Sequence, residues 1–130
     1  MEVLYLGQNN MLTYDTESHS ITLQRRERPP LTLSPEQMSI LYTKLETIEA
    51  EAIADWQIKG EKEPFWKQLG SDVYLSVVEF QEHIYFDIRK FWIVPSTGEV
   101  KPTKRGVRLN RSEIEALKRY GTSITAEPNA

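Results

Sequence analysis

Cysteine is missing from all 130 residues, which removes disulfides, thiol catalysis and every cysteine-bearing metal site and fits a reducing setting inside a cell. Histidine occurs only at His19 and His83, and two histidines without cysteine do not make the usual structural zinc site. Glycine-rich phosphate loops are lacking too: there is no Walker-type loop and no Gly-x-Gly-x-x-Gly turn. No apolar run approaches the roughly 20 residues that span a bilayer, and Met1 is not followed by a basic and then apolar leader. Asp87 stands in an extended aromatic stretch with no second carboxylate to make an acid–base pair. The chain is also too short for a large catalytic barrel and suits one domain, or two small units sharing a core. These absences leave no catalytic residue, metal or cofactor to nominate. The expectation is a soluble, intracellular, non-enzymatic protein without a membrane partner: nuclear in a eukaryote, cytoplasmic or nucleoid-associated in a bacterium or phage.

What is present is charge, unevenly placed. The formal net charge of −3 hides a first half, residues 1–64, at −5 and a second half, residues 65–130, at +2. Between Arg89 and Arg119 there are 9 basic and 3 acidic side chains, and a phosphate responds to that local field more than to the total.

The first half opens with short strand-like pieces, Val3–Leu6, Met11–Tyr14 and Ile21–Leu23, separated by polar turn residues. Arg25, Arg26, Arg28 and the Pro29–Pro30 pair end the third piece, and a brief strand over Leu31–Leu33 follows. Ser34-Pro35-Glu36-Gln37 combines a hydroxyl cap, proline in the first turn and an amide at the third helical position. Met38, Leu41, Leu45, Ile48 and Ala52 then predict one long helix with an apolar stripe and an acidic outer face at Glu46, Glu49, Glu51 and Asp55. Gly60 and Pro64 mark a connector, which is expected to contain Trp56, Phe65 and Trp66.

In the second half, Val73–Val78 and Ile84–Ile93 read as the paired centre of a sheet, reversing near Gln81-Glu82. A turn at Pro95–Gly98, a basic segment from Lys101 to Gly106 and a short strand over Val107–Leu109 precede a helix capped by Asn110. Glu113 sits at its third position, Ile114, Leu117 and Ile124 on its buried side, and Gly121 where it is expected to stop. Leu31-Thr32-Leu33-Ser34 and Val107-Arg108-Leu109-Asn110 are laid out alike, each strand, cap and then helix. Duplication and convergence on common capping chemistry both produce that echo. Neither unit alone can bury a helix stripe and a sheet face, so a shared core is expected.

Tyr74, Phe80, Tyr85, Phe86, Phe91 and Trp92 lie near Arg89 and Lys90, with Lys101, Lys104 and Arg105 downstream. Aromatic platforms beside basic side chains are what a single-strand nucleic-acid binder uses, although an aromatic sheet also reads as plain core. Strict alternation puts Ile84, Phe86, Ile88, Lys90 and Trp92 on one side and Tyr85, Asp87, Arg89, Phe91 and Ile93 on the other. Arg89 and Trp92 therefore serve one surface only if the strand bends, bulges or overhangs its neighbour.

From Val73 to about Tyr120 the sequence resembles the transcriptional positive cofactor family of small single-stranded DNA-binding domains. The resemblance rests on Tyr74–Phe80, on Ile84-Tyr85-Phe86-Asp87-Ile88-Arg89-Lys90-Phe91-Trp92, and on Gly98–Leu109 with its Lys101-Pro102 pair. It implies an α+β fold in which a curved antiparallel sheet is followed by a helix, two such units packing through their helices around a concave nucleic-acid surface. Here the expected form is an intramolecular pseudo-dimer: residues 1–64 as a divergent half with its connector, and residues 65–130 as the nucleic-acid-binding half. By position the resemblance makes Phe80 and Trp92 base-stacking residues and Arg89 and Arg105 backbone contacts, with Lys101 and Lys104 added. Val78 replaces a family arginine, and Ser71, Val73, Gln81 and His83 fall where lysine or arginine is common.

The expected function is sequence-tolerant binding of single-stranded DNA in transcription, replication or recombination. RNA, transcription or replication proteins and a second copy of the chain are further candidate partners. The alternative is a protein-interaction adaptor with a divergent nucleic-acid surface.

Overall fold

The computed structural model describes residues 2–126, with side chains to Gly121; Ile124 lies outside the described side chains. The strands are β1 (Glu2–Tyr5), β2 (Asn10–Asp15), β3 (Ser20–Arg25), β4 (Leu31–Leu33), β5 (Phe65–Gly70), β6 (Val73–Phe80), β7 (His83–Ile93) and β8 (Val100–Leu109), and the helices α1 (Pro35–Leu45), α2 (Ile48–Lys59) and α3 (Arg111–Ala126). Two four-stranded antiparallel sheets, in the orders β1-β2-β3-β4 and β5-β6-β7-β8, are each followed by helix. The fold is α+β and duplicated within one chain. None of the described helices is long and apolar enough to cross a membrane.

The duplication holds in register. In the first sheet Ile21 opposes Leu33 and Leu23 opposes Leu31; in the second Phe86 opposes Leu109 and Ile88 opposes Val107. All eight are buried, because alternation turns them toward the helices. Between them, on the outer face, Thr22 opposes Thr32 with their hydroxyls 3.0 Å apart, where Asp87 opposes Arg108 in the second sheet. A neutral hydrogen bond thus stands in one half where an ion pair stands in the other.

The capping boxes tie the halves together. Ser34 Oγ accepts from Gln37 N and Gln37 Oε1 accepts from Ser34 N, leaving Gln37 Nε2 to donate to Gly70 O in β5 at 3.0 Å. Asn110 Oδ1 accepts from Glu113 N and Glu113 Oε1 accepts from Asn110 N, leaving Glu113 Oε2 to accept from Asn10 Nδ2 at 2.8 Å. Each third-position side chain therefore caps its own helix and reaches the other sheet beside a Leu-Gly pair, Leu69-Gly70 or Leu6-Gly7. At Gly7 a Cβ would lie 2.3 Å from Glu113 Oε2, so only glycine permits the approach. The buried apolar residues of both halves form one cluster, from Leu6 to Leu117.

Four expectations are corrected. The long helix is two, broken at Glu46 and Thr47: Thr47, at φ −121, leaves the helical path, and its N–H bonds back to Lys44 O. The apolar stripe survives the break, since Met38, Leu41, Leu45, Ile48 and Ala52 are all buried. Trp56 belongs to α2, and Phe65 and Trp66 to β5, rather than to a connector; the sequence obscured β5 by placing Lys67 on the helix-facing side. Its ammonium lies 5.2 Å from the Phe65 ring centroid, a cation–π contact on that face. The basic segment from Lys101 is part of β8, a ten-residue strand. Gly121 does not end α3 but lets it approach α1, for a Cβ there would lie 2.0 Å from the Tyr42 ring. Burial raises the Tyr42 phenol pKa, and among the described residues its hydroxyl has no hydrogen-bond partner.

Candidate nucleic-acid interface

The β6–β7 hairpin turns on Gln81 and Glu82, both at positive φ, as a tight two-residue turn requires. That turn places Phe80 opposite His83 at one end of the hairpin, where Phe80 is 59% exposed. Trp92 lies nine residues along β7 at the other end, directly opposite Lys101 of β8, and is 54% exposed. At about 3.3 Å per residue the two aromatics are separated by roughly 30 Å of strand. They do not form one spot.

Alternation along β7 is unbroken. Phe91 packs on the Arg89 side, its ring edge-on to Trp66 at 5.0 Å and to Tyr74 at 5.1 Å, while Trp92 turns to the opposite side with Lys90. Trp92 is exposed on the helix-facing side, the face opposite to Arg89. The register irregularity lies in β8: Arg89 opposes Gly106 and Phe91 opposes Pro102, so Thr103, Lys104 and Arg105 face Lys90 alone. Thr103 Oγ1 donates to Lys90 O and accepts from Arg105 N, holding the bulge, and both Lys104 and Arg105 are exposed. Gly106 is required beside it, since a Cβ would sit 2.5 Å from Ile88 O.

Arg89 is the internal brace of this surface. Its Nε and Nη2 donate to the two oxygens of Asp87 at 2.9 and 3.2 Å, and its Nη1 donates to Thr103 O at 2.9 Å. Asp87 is nearly inaccessible and also accepts from Arg108 Nε at 3.2 Å, so one buried carboxylate faces two guanidiniums. Two of the five arginine N–H groups remain outside these bonds at Arg89. Arg105 Nη1 donates to Pro30 O at 2.7 Å, joining the bulge to the first half. Lys101 is 3.8 Å from Glu99, a long and exposed ion pair. The structure therefore gathers Trp92 with Lys101 and the bulge residues Lys104 and Arg105 on β7–β8, puts Arg89 beneath them, and sets Phe80 apart. Trp66, 44% exposed on the aromatic face of the sheet, escaped sequence reasoning because β5 did.

At the helical end Arg111 makes a bidentate pair with Glu49, 2.7 and 2.8 Å, which lowers the Glu49 carboxyl pKa and raises that of the arginine. Tyr120 donates to Glu2 at 2.7 Å, and burial with that carboxylate raises its phenol pKa. Among the described residues no three His, Asp or Glu side chains cluster to hold a metal ion.

Residues 67–120 match the family model of the Transcriptional Coactivator p15 (PC4). The stretch runs from the middle of β5 through the second sheet into α3, so the PC4-like part of the chain is the half that carries Phe80, Arg89, Trp92 and the β8 bulge.

Proposed function

We propose that this protein binds single-stranded DNA with little sequence preference, through residues 65–130, in transcription, replication or recombination. The observation that carries the reading is the exposed Trp92 directly opposite Lys101, beside a β8 bulge that thrusts Lys104 and Arg105 into solvent. An unstacked base offers a π face to an indole, and the phosphates flanking it meet the cations. Arg89 contributes its two uncommitted N–H groups to the backbone and holds the bulge in shape; Phe80 offers a second stacking platform at the far end of the hairpin. The PC4-like match supports the same reading. Residues 1–64 supply the first sheet with α1 and α2 and complete the core. Fluorescence anisotropy with labelled oligonucleotides tests the proposal: binding is expected to saturate, to weaken as salt rises and to resist duplex competitor. No saturable binding at low salt would sink it.

The adaptor reading has an observation of its own. Ile53 of α2 is exposed in a groove that Trp56 and Ile84 also line, and Ile58 on another side of the same helix is 86% exposed. A protein partner that survives nuclease treatment and is lost in Ile58→Asp would favour it over nucleic acid.

A further inference from the structure

Of three grooves, one lies between the two halves, and it shares walls with one groove on each half. The first lies between the Glu82–His83 turn and the start of α3; Tyr85, Asn110 and Ser112 line both it and the second. The second passes between Arg108 of β8 and Arg25 of β3, and its walls Gln8, Asn9 and Asn10 continue into the third. The third ends between Tyr5 and Arg26. Taken in series by their shared walls they trace a furrow from His83, the cross-strand partner of Phe80, onto the first half.

The chemistry along it is specific. Arg108 is held by Asp87 and Arg111 by Glu49, and both oxygens of Glu113 at the floor are taken by Asn10 and Asn110. Arg25 and Arg26 are exposed and, among the described residues, neither guanidinium has a carboxylate partner. Register makes Arg25 the counterpart of Lys90: it opposes Asn10 as Lys90 opposes Val73, so the first half keeps a cation where the second has one. Tyr85 is half-buried and lines the furrow, Tyr5 is 73% exposed, and Gln8 and Asn9, both exposed, line it between them.

We infer that this furrow carries a single-stranded polynucleotide from the PC4-like half onto the first half, with Arg25 and Arg26 on its phosphates, Tyr85 and Tyr5 against bases, and Gln8 and Asn9 on base edges. The inference rests on the single-strand reading above and extends it to the acidic half of the chain. Unpaired arginines alternate with aromatic and amide groups along a path, which suits a polymer of phosphates and bases better than a single small anion.

The test uses the full chain and oligo(dT) of about 16 and about 6 nucleotides, followed by anisotropy across a salt series. In Arg25→Ala/Arg26→Ala, affinity for the longer oligomer is expected to fall roughly tenfold and the salt slope to shrink by about 1.4, from two lost phosphate contacts. The shorter oligomer, held at Trp92 and Lys101, keeps its affinity. Lys44→Ala/Lys59→Ala removes the same charge from the helices and leaves both oligomers unaffected. If the wild type binds and the arginine pair changes nothing, or if both pairs of variants weaken binding alike, the furrow is overturned while the single-strand reading stands. If the wild type binds neither oligomer, that reading fails and the furrow with it. Circular dichroism of the arginine variant is expected to match wild type, since both side chains are exposed.

Discussion

At the residue scale, exposure separates stacking from support. Trp92 and Phe80 each leave more than half of their surface in water. Alanine at either is expected to cost about 1–3 kcal/mol of oligonucleotide binding while leaving the melting temperature nearly unchanged and most of the salt dependence intact. Arg89 behaves in the opposite way. Arg89→Ala leaves the buried Asp87 with only the half-exposed Arg108, and a loss of roughly 3 kcal/mol of stability is expected in denaturant unfolding. The motif over Ile84–Trp92 was legible as a motif, and so were the cations after it. What sequence does not carry is which donors of Arg89 are spent inside the protein, because Thr103 O reaches it only through a β8 bulge.

At the element scale, the caps were the clearest signals in the chain, and both helix starts stand as the spacing predicts. Their second function was hidden: Gln37 and Glu113 are both consumed locally, and their reach to Gly70 and Asn10 appears only when the sheets are opposed. Asn10→Asp would set a second buried carboxylate against Glu113 Oε2. It is expected to lose several kcal/mol at neutral pH, measured by urea unfolding, and to recover part of this as the pH falls and one carboxyl takes a proton. Gly121→Ala is expected to destabilise by about 1–3 kcal/mol, because α3 must retreat from Tyr42. A glycine in a helix that late in the chain looks like a stop when α1 is not in view. The long helix was misread for a related reason: periodicity follows burial, and the apolar stripe passes through the break at Thr47 without interruption.

At the scale of the molecule, the pseudo-dimer was legible from one repeated strand–cap–helix phrase, while the inequality of its halves shows in charge and in the Thr22–Thr32 substitute for Asp87–Arg108. Glu49 and Arg111 link α2 to α3 across the two units. The carboxyl is held below its ordinary 4.5, so its contribution is fully present above that pH and is lost as the pH falls through the lowered folded value. The pair is partly exposed and is worth at most about 1 kcal/mol; Arg111→Ala is expected to flatten that part of the acid side of the stability curve. The central claim, that the PC4-like half binds single-stranded DNA through Trp92 and the β8 cations, is tested most directly by a crystal structure of the full chain with oligo(dT). A base stacked on the Trp92 indole, with phosphates in contact with Lys101, Lys104 or Arg105, is the predicted result; a strand lying on α2 with the β7–β8 surface untouched would contradict it.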